Sequence, residues 1–130
     1  MNSNNRLFCI RGAVCTENNA ESIIKNIEQL FKTIVKENNI VSEKNFVSIQ
    51  FTVTPDIDEL NPAAALRRGN LGIDVSHIPL FCSQEPVMKN SLQNVIRMMI
   101  TVYLQEDATI QSVYLNGAEV LRPDLTRGNS

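Results

Sequence analysis

Arginine placement is where this chain shows most chemistry. Seven of its twelve basic residues are arginine, and four of these stand beside turn signals or apolar sequence. Arg11 precedes Gly12-Ala13, Arg67 ends a short helical pattern, Arg97 interrupts Val95-Ile96-Arg97-Met98-Met99-Ile100-Thr101-Val102, and Arg122 precedes Pro123. A guanidinium keeps its proton and offers a planar fork that matches a carboxylate two hydrogen bonds at a time. An acidic protein that sets arginines at such positions could host a small dianion. Taken singly, Arg67 and Arg122 read as ordinary surface residues. Arg97 is the most informative, because its run reads as a buried strand and a buried guanidinium needs a carboxylate, a dense hydrogen-bond shell or an anionic ligand. On the run alone the favoured reading is structural, an ion pair with an acid such as Glu85 or Asp124. An edge strand that turns Arg97 to water would also explain it.

The second cluster is Cys82-Ser83-Gln84-Glu85. A nucleophilic Cys82 would need a base, and His77 is the only histidine. No spacing supports that pair, so Cys82 reads as a core thiol and His77 as a loop residue. Glu85 precedes Pro86 on a loop, where solvation alone accounts for it. Tyr114 follows Val113 in a strand, a place usually occupied by a core tyrosine with a satisfied hydroxyl and less often by a ligand contact. The lone histidine excludes His-rich metal sites and works against a Ser-His-Asp triad.

The elements that must carry these residues are legible from periodicity. Arg6 to Val14 is a strand ending near Gly12-Ala13. Asn18 is set to cap a helix, with Glu21 at capping-box spacing. Ile23, Ile24, Ile27, Leu30, Phe31, Ile34 and Val35 form one apolar stripe at helical spacing, and Asn38-Asn39 is the stop. Val47, Ile49, Phe51 and Val53 alternate with Ser48, Gln50, Thr52 and Thr54, which predicts a strand with one core face and one wet face. Thr54-Pro55-Asp56 breaks it. A short helix follows over Pro62 to Arg68, with Asn61 as cap, Pro62 in first position and Gly69 as stop. Residues 70–76 form a loop, Ile78 to Cys82 a strand, and Gln84 to Ser91 another loop. Val, Ile, Thr and Tyr enrichment favours a strand around Arg97. Ile110 to Leu115 is the last strand, and Asn116-Gly117 a turn. The order βαβαβββ implies an α/β (α+β) fold, a mixed β-sheet with helices on one face. Its open edges and uncovered face suggest self-association.

Composition sets the class. The chain has 130 residues, which fits one domain over 1–130 with a frayed tail from about 126. Hydrophobic residues make up 43% and charged residues 20%, a globular balance. A net charge of -2 and pI near 5.4 provide no global field toward nucleic acid or membrane. No stretch has the apolar length of a membrane span, and residues 1–6 lack the core of a secretory signal. Cys9, Cys15 and Cys82 are odd in number and lack zinc-type spacing, so reduced thiols in a cytoplasmic protein are expected.

Larger pieces then line up. Ile10-Arg11-Gly12-Ala13, Thr54-Pro55-Asp56, Pro62-Ala63 with Ala65 and Arg67, Pro79, Cys82 with Gln84-Glu85, and Ile96-Arg97-Met98-Met99 are followed by Val113-Tyr114-Leu115, Ala118, Val120 and Leu121-Arg122-Pro123-Asp124-Leu125. In this order and near-spacing the chain resembles the monofunctional chorismate mutases of the AroH type, over about residues 6 to 125. Each fragment is weak alone; the set, and above all the Leu-Arg-Pro-Asp-Leu piece after Val-Tyr-Leu, is specific. The resemblance implies a pseudo-α/β-barrel homotrimer with three active sites in clefts between subunits. It implies the Claisen rearrangement of chorismate to prephenate in aromatic amino-acid biosynthesis, with no cofactor and no metal. By the resemblance, Arg97 is the cation at the ether oxygen, while Arg11 and Tyr114 bind the side-chain carboxylate. Glu85 and the Cys82 thiol hold the ring hydroxyl. Arg67 and Arg122 line the mouth, with Leu121, Ala63 and Phe81 contributing to its walls. The chain departs from the family at Asn61, where Phe is frequent, at Ala64, where a charge is common, at Phe81, where Thr is common, and in a longer loop over residues 68–77. A non-catalytic anion-binding relative on the same trimeric fold is the alternative. A trimer like the reactive-imine deaminases is a third reading, but it lacks the match at Leu121-Arg122-Pro123-Asp124.

Overall fold

The computed structural model describes residues 4–121. Five strands and two helices follow one another as β1 (Asn5–Cys15), α1 (Ala20–Glu37), β2 (Phe46–Val53), α2 (Pro62–Arg68), β3 (Leu80–Gln84), β4 (Val95–Gln105) and β5 (Val113–Leu115). This is the expected βαβαβββ order. The strands form one mixed sheet in the order β3-β2-β4-β1-β5. β4 runs antiparallel to both β1 and β2, whereas β5 lies parallel to β1 and β3 parallel to β2.

Both helices cover the same face. The stripe on α1 buries Ile23, Ile27, Leu30, Phe31 and Ile34, and α2 adds Ala63, Ala65 and Leu66 to the same core. From the sheet, alternate residues answer them: Ile10 and Val14 of β1, Ile49 and Phe51 of β2, and Ile96, Met98, Ile100 and Val102 of β4. Gly12 lies in the same row. A Cβ there would sit 2.8 Å from Ile34 Cδ1 and 3.0 Å from the Val113 carbonyl, so the missing side chain allows α1 to approach the sheet.

Local chemistry moves some boundaries. α1 is capped by Asn19, not Asn18: Asn19 Oδ1 accepts the Ser22 N–H at 2.8 Å. Asn18 is occupied elsewhere, accepting the N–H groups of Asp58 and Glu59 and donating to Asp58 Oδ1, so it ties down the loop before α2. Glu21 therefore makes no capping box. At the other end, the buried Asn38 donates to Ile34 O and Gln111 O and accepts from Gln111 N. Those bonds use both main-chain groups of Gln111, and β5 starts only at Val113, not at Ile110. Asn61 caps α2 as expected, accepting the Ala63 N–H at 2.8 Å. β3 starts at Leu80, because Ile78 bonds back to Val75 in a turn and Pro79 offers only a carbonyl, which Ile49 N–H takes.

Candidate active site

The face away from the helices carries the other half of each alternation. Arg11 of β1 lies opposite Met99 of β4, Ala13 opposite Arg97, and Arg97 opposite Thr52 of β2. Phe81 and Ser83 of β3 stand beside Gln50 and Thr52, and Tyr114 of β5 beside Ala13. An open cleft of about 280 Å³ crosses this face, lined by Arg11, Gln50, Thr52, Phe81, Ser83, Arg97, Met99 and Tyr114, with Gly12, Phe51 and Met98 at its floor.

Arg97 corrects one expectation. Its side chain is 44% exposed in the chain, although its neighbours Ile96 and Met98 are buried. The run is apolar because β4 is the central strand, but the two-residue period puts Arg97 on the uncovered face. Its Nε pairs with Glu85 Oε2. The structural partner weighed from sequence is thus Glu85; Asp124 lies outside the described residues. Glu85 is only 17% exposed, and the same Oε2 accepts the Thr52 hydroxyl at 2.8 Å. Arg97's ion pair uses Nε, which leaves the terminal nitrogens of the guanidinium as donors.

Tyr114 is held by a second small cluster. It packs with Ala13, Val95 and Ala118, and Leu121 and Leu92 join them. Residues 118–121 form a 3-10 turn that folds this part of the chain over the end of the open face. Leu121 is thereby close to Tyr114. Arg122, one residue on, lies outside the described residues.

Of the residues expected at the site, Glu85 and Leu121 meet this cleft only through Arg97 and the Tyr114 cluster, and Cys82, Ala63 and Arg67 lie away from it. Cys82 pairs in register with Phe51, whose side chain is buried, so its thiol faces the helix side and packs on the core. Burial pushes that thiol's pKa up, which keeps it protonated at neutral pH. Ala63 is buried in the core, and Arg67 is exposed on α2, the helix side of the sheet. Phe81, in contrast, is 71% exposed against the cleft. Sequence alone marks Thr52 only as part of a wet strand face. A hydroxyl at alternating spacing carries no sign that a distant carboxylate will meet it. Among the described residues, no three His, Cys, Asp or Glu side chains gather where they could hold a metal ion.

The arrangement is two cations and a tyrosine lining one cleft, with a carboxylate paired to one of the cations. That suits a dianion carrying a hydroxyl group. A family model described as chorismate mutase type I matches residues 7–125. The chain belongs to the type I chorismate mutase family. As a member it is an isomerase, a chorismate mutase. It is 36% identical over 121 residues to the chorismate mutase AroH of Bacillus subtilis (strain 168), covering 90% of this chain and 91% of that one. With the chorismate mutase AroH of Thermus thermophilus it shares 33% over 119 residues, 89% of this chain and 93% of the relative. A solved chorismate mutase from Clostridium thermocellum superposes with a TM-score of 0.74 at 36% identity, over 87% of this chain and 98% of that one. The Glu85–Arg97 pair would also serve a pocket that only binds, but the likeness to chorismate mutases along nearly the whole chain favours the enzyme. No helix of the described residues is long and apolar enough to cross a membrane.

Proposed function

We propose that this chain rearranges chorismate to prephenate in the open-face cleft, with Arg97 as the cation that meets the breaking ether bond. The observation that carries the reading is the convergence of Arg11, Arg97 and Tyr114 on one cleft with Glu85 beside them. The rearrangement is pericyclic. It breaks a C–O bond and forms a C–C bond in one six-membered ring of atoms, and needs no nucleophile and no proton transfer. Catalysis then rests on two physical effects. Fixed groups that grip the side-chain carboxylate and the ring hydroxyl hold the substrate in its compact conformer, which lowers the entropic part of the barrier. A guanidinium at the ether oxygen meets negative charge that grows only as the bond breaks, so it stabilises the transition state more than the substrate.

In this reading Arg97 uses its terminal nitrogens on the ether oxygen while Glu85 steadies its Nε. Arg11 and the Tyr114 hydroxyl take the side-chain carboxylate. Glu85 accepts the ring hydroxyl on its remaining oxygen. Phe81 forms an apolar wall, and Leu121 with Arg122 closes the C-terminal side. The Cys82 thiol drops out of the contacts, since it faces the core. Ala63 and Arg67, on α2 behind the sheet, would reach a cleft only on a neighbouring subunit, which fits a homotrimer whose sites lie between subunits. Residues 1–130 would act as one domain, in the cytoplasm, in aromatic amino-acid biosynthesis. The test is the loss of chorismate's ultraviolet absorbance with purified protein, with prephenate identified as product. Catalysed turnover supports the reading; a folded protein that leaves chorismate at its background rate overturns it.

A further inference from the structure

Glu85 is the first residue beyond β3, and everything after it for several residues is exposed loop. Two contacts hold it to β2. Its N–H donates to the Val53 carbonyl at 2.8 Å, and its Oε2 accepts the Thr52 hydroxyl at 2.8 Å. Thr52 in turn stands directly opposite Arg97 across the β2–β4 pair, on the same face. One carboxylate oxygen therefore receives two donors, Thr52 Oγ1 and Arg97 Nε. An ion pair to a half-exposed arginine is by itself a weak restraint. A β-branched threonine on a strand has few side-chain rotamers, so its hydroxyl is a stiff anchor.

We infer that Thr52 is a positioning residue for the reaction: by saturating Glu85 Oε2 it fixes the carboxylate, leaves Oε1 for the substrate hydroxyl, and holds Arg97 so that its terminal nitrogens face the ether oxygen. The inference rests on the mutase reading above. Thr52 acts through Glu85, not on the substrate. Losing its hydroxyl lets the Glu85–Arg97 pair swing, which harms alignment in the transition state more than substrate capture.

The experiment is a kinetic cycle on the purified full chain with chorismate, using Thr52→Val, Thr52→Ser, Glu85→Ala and the Thr52→Val/Glu85→Ala double variant, each checked for an unchanged melting transition. Valine keeps the shape and β preference of threonine and removes only the donor. The expected result is a fall in kcat of roughly tenfold for Thr52→Val, the order of one hydrogen bond to a charged group, with KM nearly unchanged. Thr52→Ser restores most of the rate. In the Glu85→Ala background Thr52→Val costs nothing further, because its route to the chemistry is already gone. Wild-type kinetics in Thr52→Val would overturn the inference, and so would an equal loss in both backgrounds, which would mean a direct or merely structural role. Background-rate chorismate loss with the folded wild-type chain would instead sink the mutase reading, whatever Thr52 does, and full activity in an Arg97→Ala variant would sink the role given to Arg97.

Discussion

The two faces of the sheet are made by the same strands and obey opposite rules. On the helix face, Ile10, Phe51, Met98 and Ile100 are at most 2% exposed and belong to one hydrophobic core. On the other face, Arg11, Gln50, Thr52 and Arg97 stand a single residue away in the chain and line an open cleft. The period of two lets β4 supply stability at Met98 and Ile100 and chemistry at Arg97 without either intruding on the other. Stability and activity should therefore separate by the parity of a residue's position.

The strongest way to break that separation is at Arg97. Arg97→Ala is expected to raise the barrier by about 3–4 kcal/mol, as for other preorganised donors, and so cut kcat by roughly 10²–10³-fold. Denaturant unfolding should move by less than about 1 kcal/mol, because the pair it removes is partly exposed. A parallel loss of stability would show that the open face also holds the fold. Three residues further along β4, and on the opposite face, Ile100→Ala tests the converse. It removes a fully buried side chain beneath α1 and should cost roughly 2–5 kcal/mol in urea unfolding. The kcat of the folded fraction should stay near wild type. A smaller effect is expected from Gly12→Ala, which presses a methyl group on Ile34 and the Val113 carbonyl. About 1–3 kcal/mol of overpacking is expected, read by the same unfolding curves. If that variant also loses activity, the cause would be its neighbour Arg11, shifted within β1, and the separation of faces would be weaker at β1 than at β4. Smallest is the cap. Asn19→Ala should lower stability by about 1 kcal/mol through the lost bond to Ser22, with kcat untouched.

Much of this could be read from sequence, and what could not has a common cause. The alternation in β2 and the stripe on α1 were legible because both are local periods. So were the Asn61 cap and the Asn38-Asn39 stop, each a local hydrogen-bonding device. What escaped depends on partners far along the chain. Asn18 looked like the better cap until the 58–59 loop claimed it. The last strand looked longer until Asn38 took both main-chain groups of Gln111. Arg97 looked buried because β4 is apolar on both sides of it, and only pairing with Ala13 and Thr52 shows which way it points. Cys82 reads from its own sequence as a core thiol, and its pairing with Phe51 does turn it to the core; only the resemblance makes it a site residue. Thr52 was invisible for the same reason, since its significance comes from Glu85, thirty-three positions away. The cleft's cations were nonetheless marked in advance by where the arginines sit.

The most direct test of the account is a crystal structure with a non-reactive bicyclic dicarboxylate shaped like the rearrangement's transition state, which should bind more tightly than substrate. The account predicts the ligand in the open-face cleft, with Arg97 terminal nitrogens within hydrogen-bond distance of its ether oxygen, Arg11 and Tyr114 on one carboxylate, and Glu85 on the hydroxyl. A ligand seated elsewhere, or one in the cleft with Arg97 engaged by Glu85 alone, would contradict it.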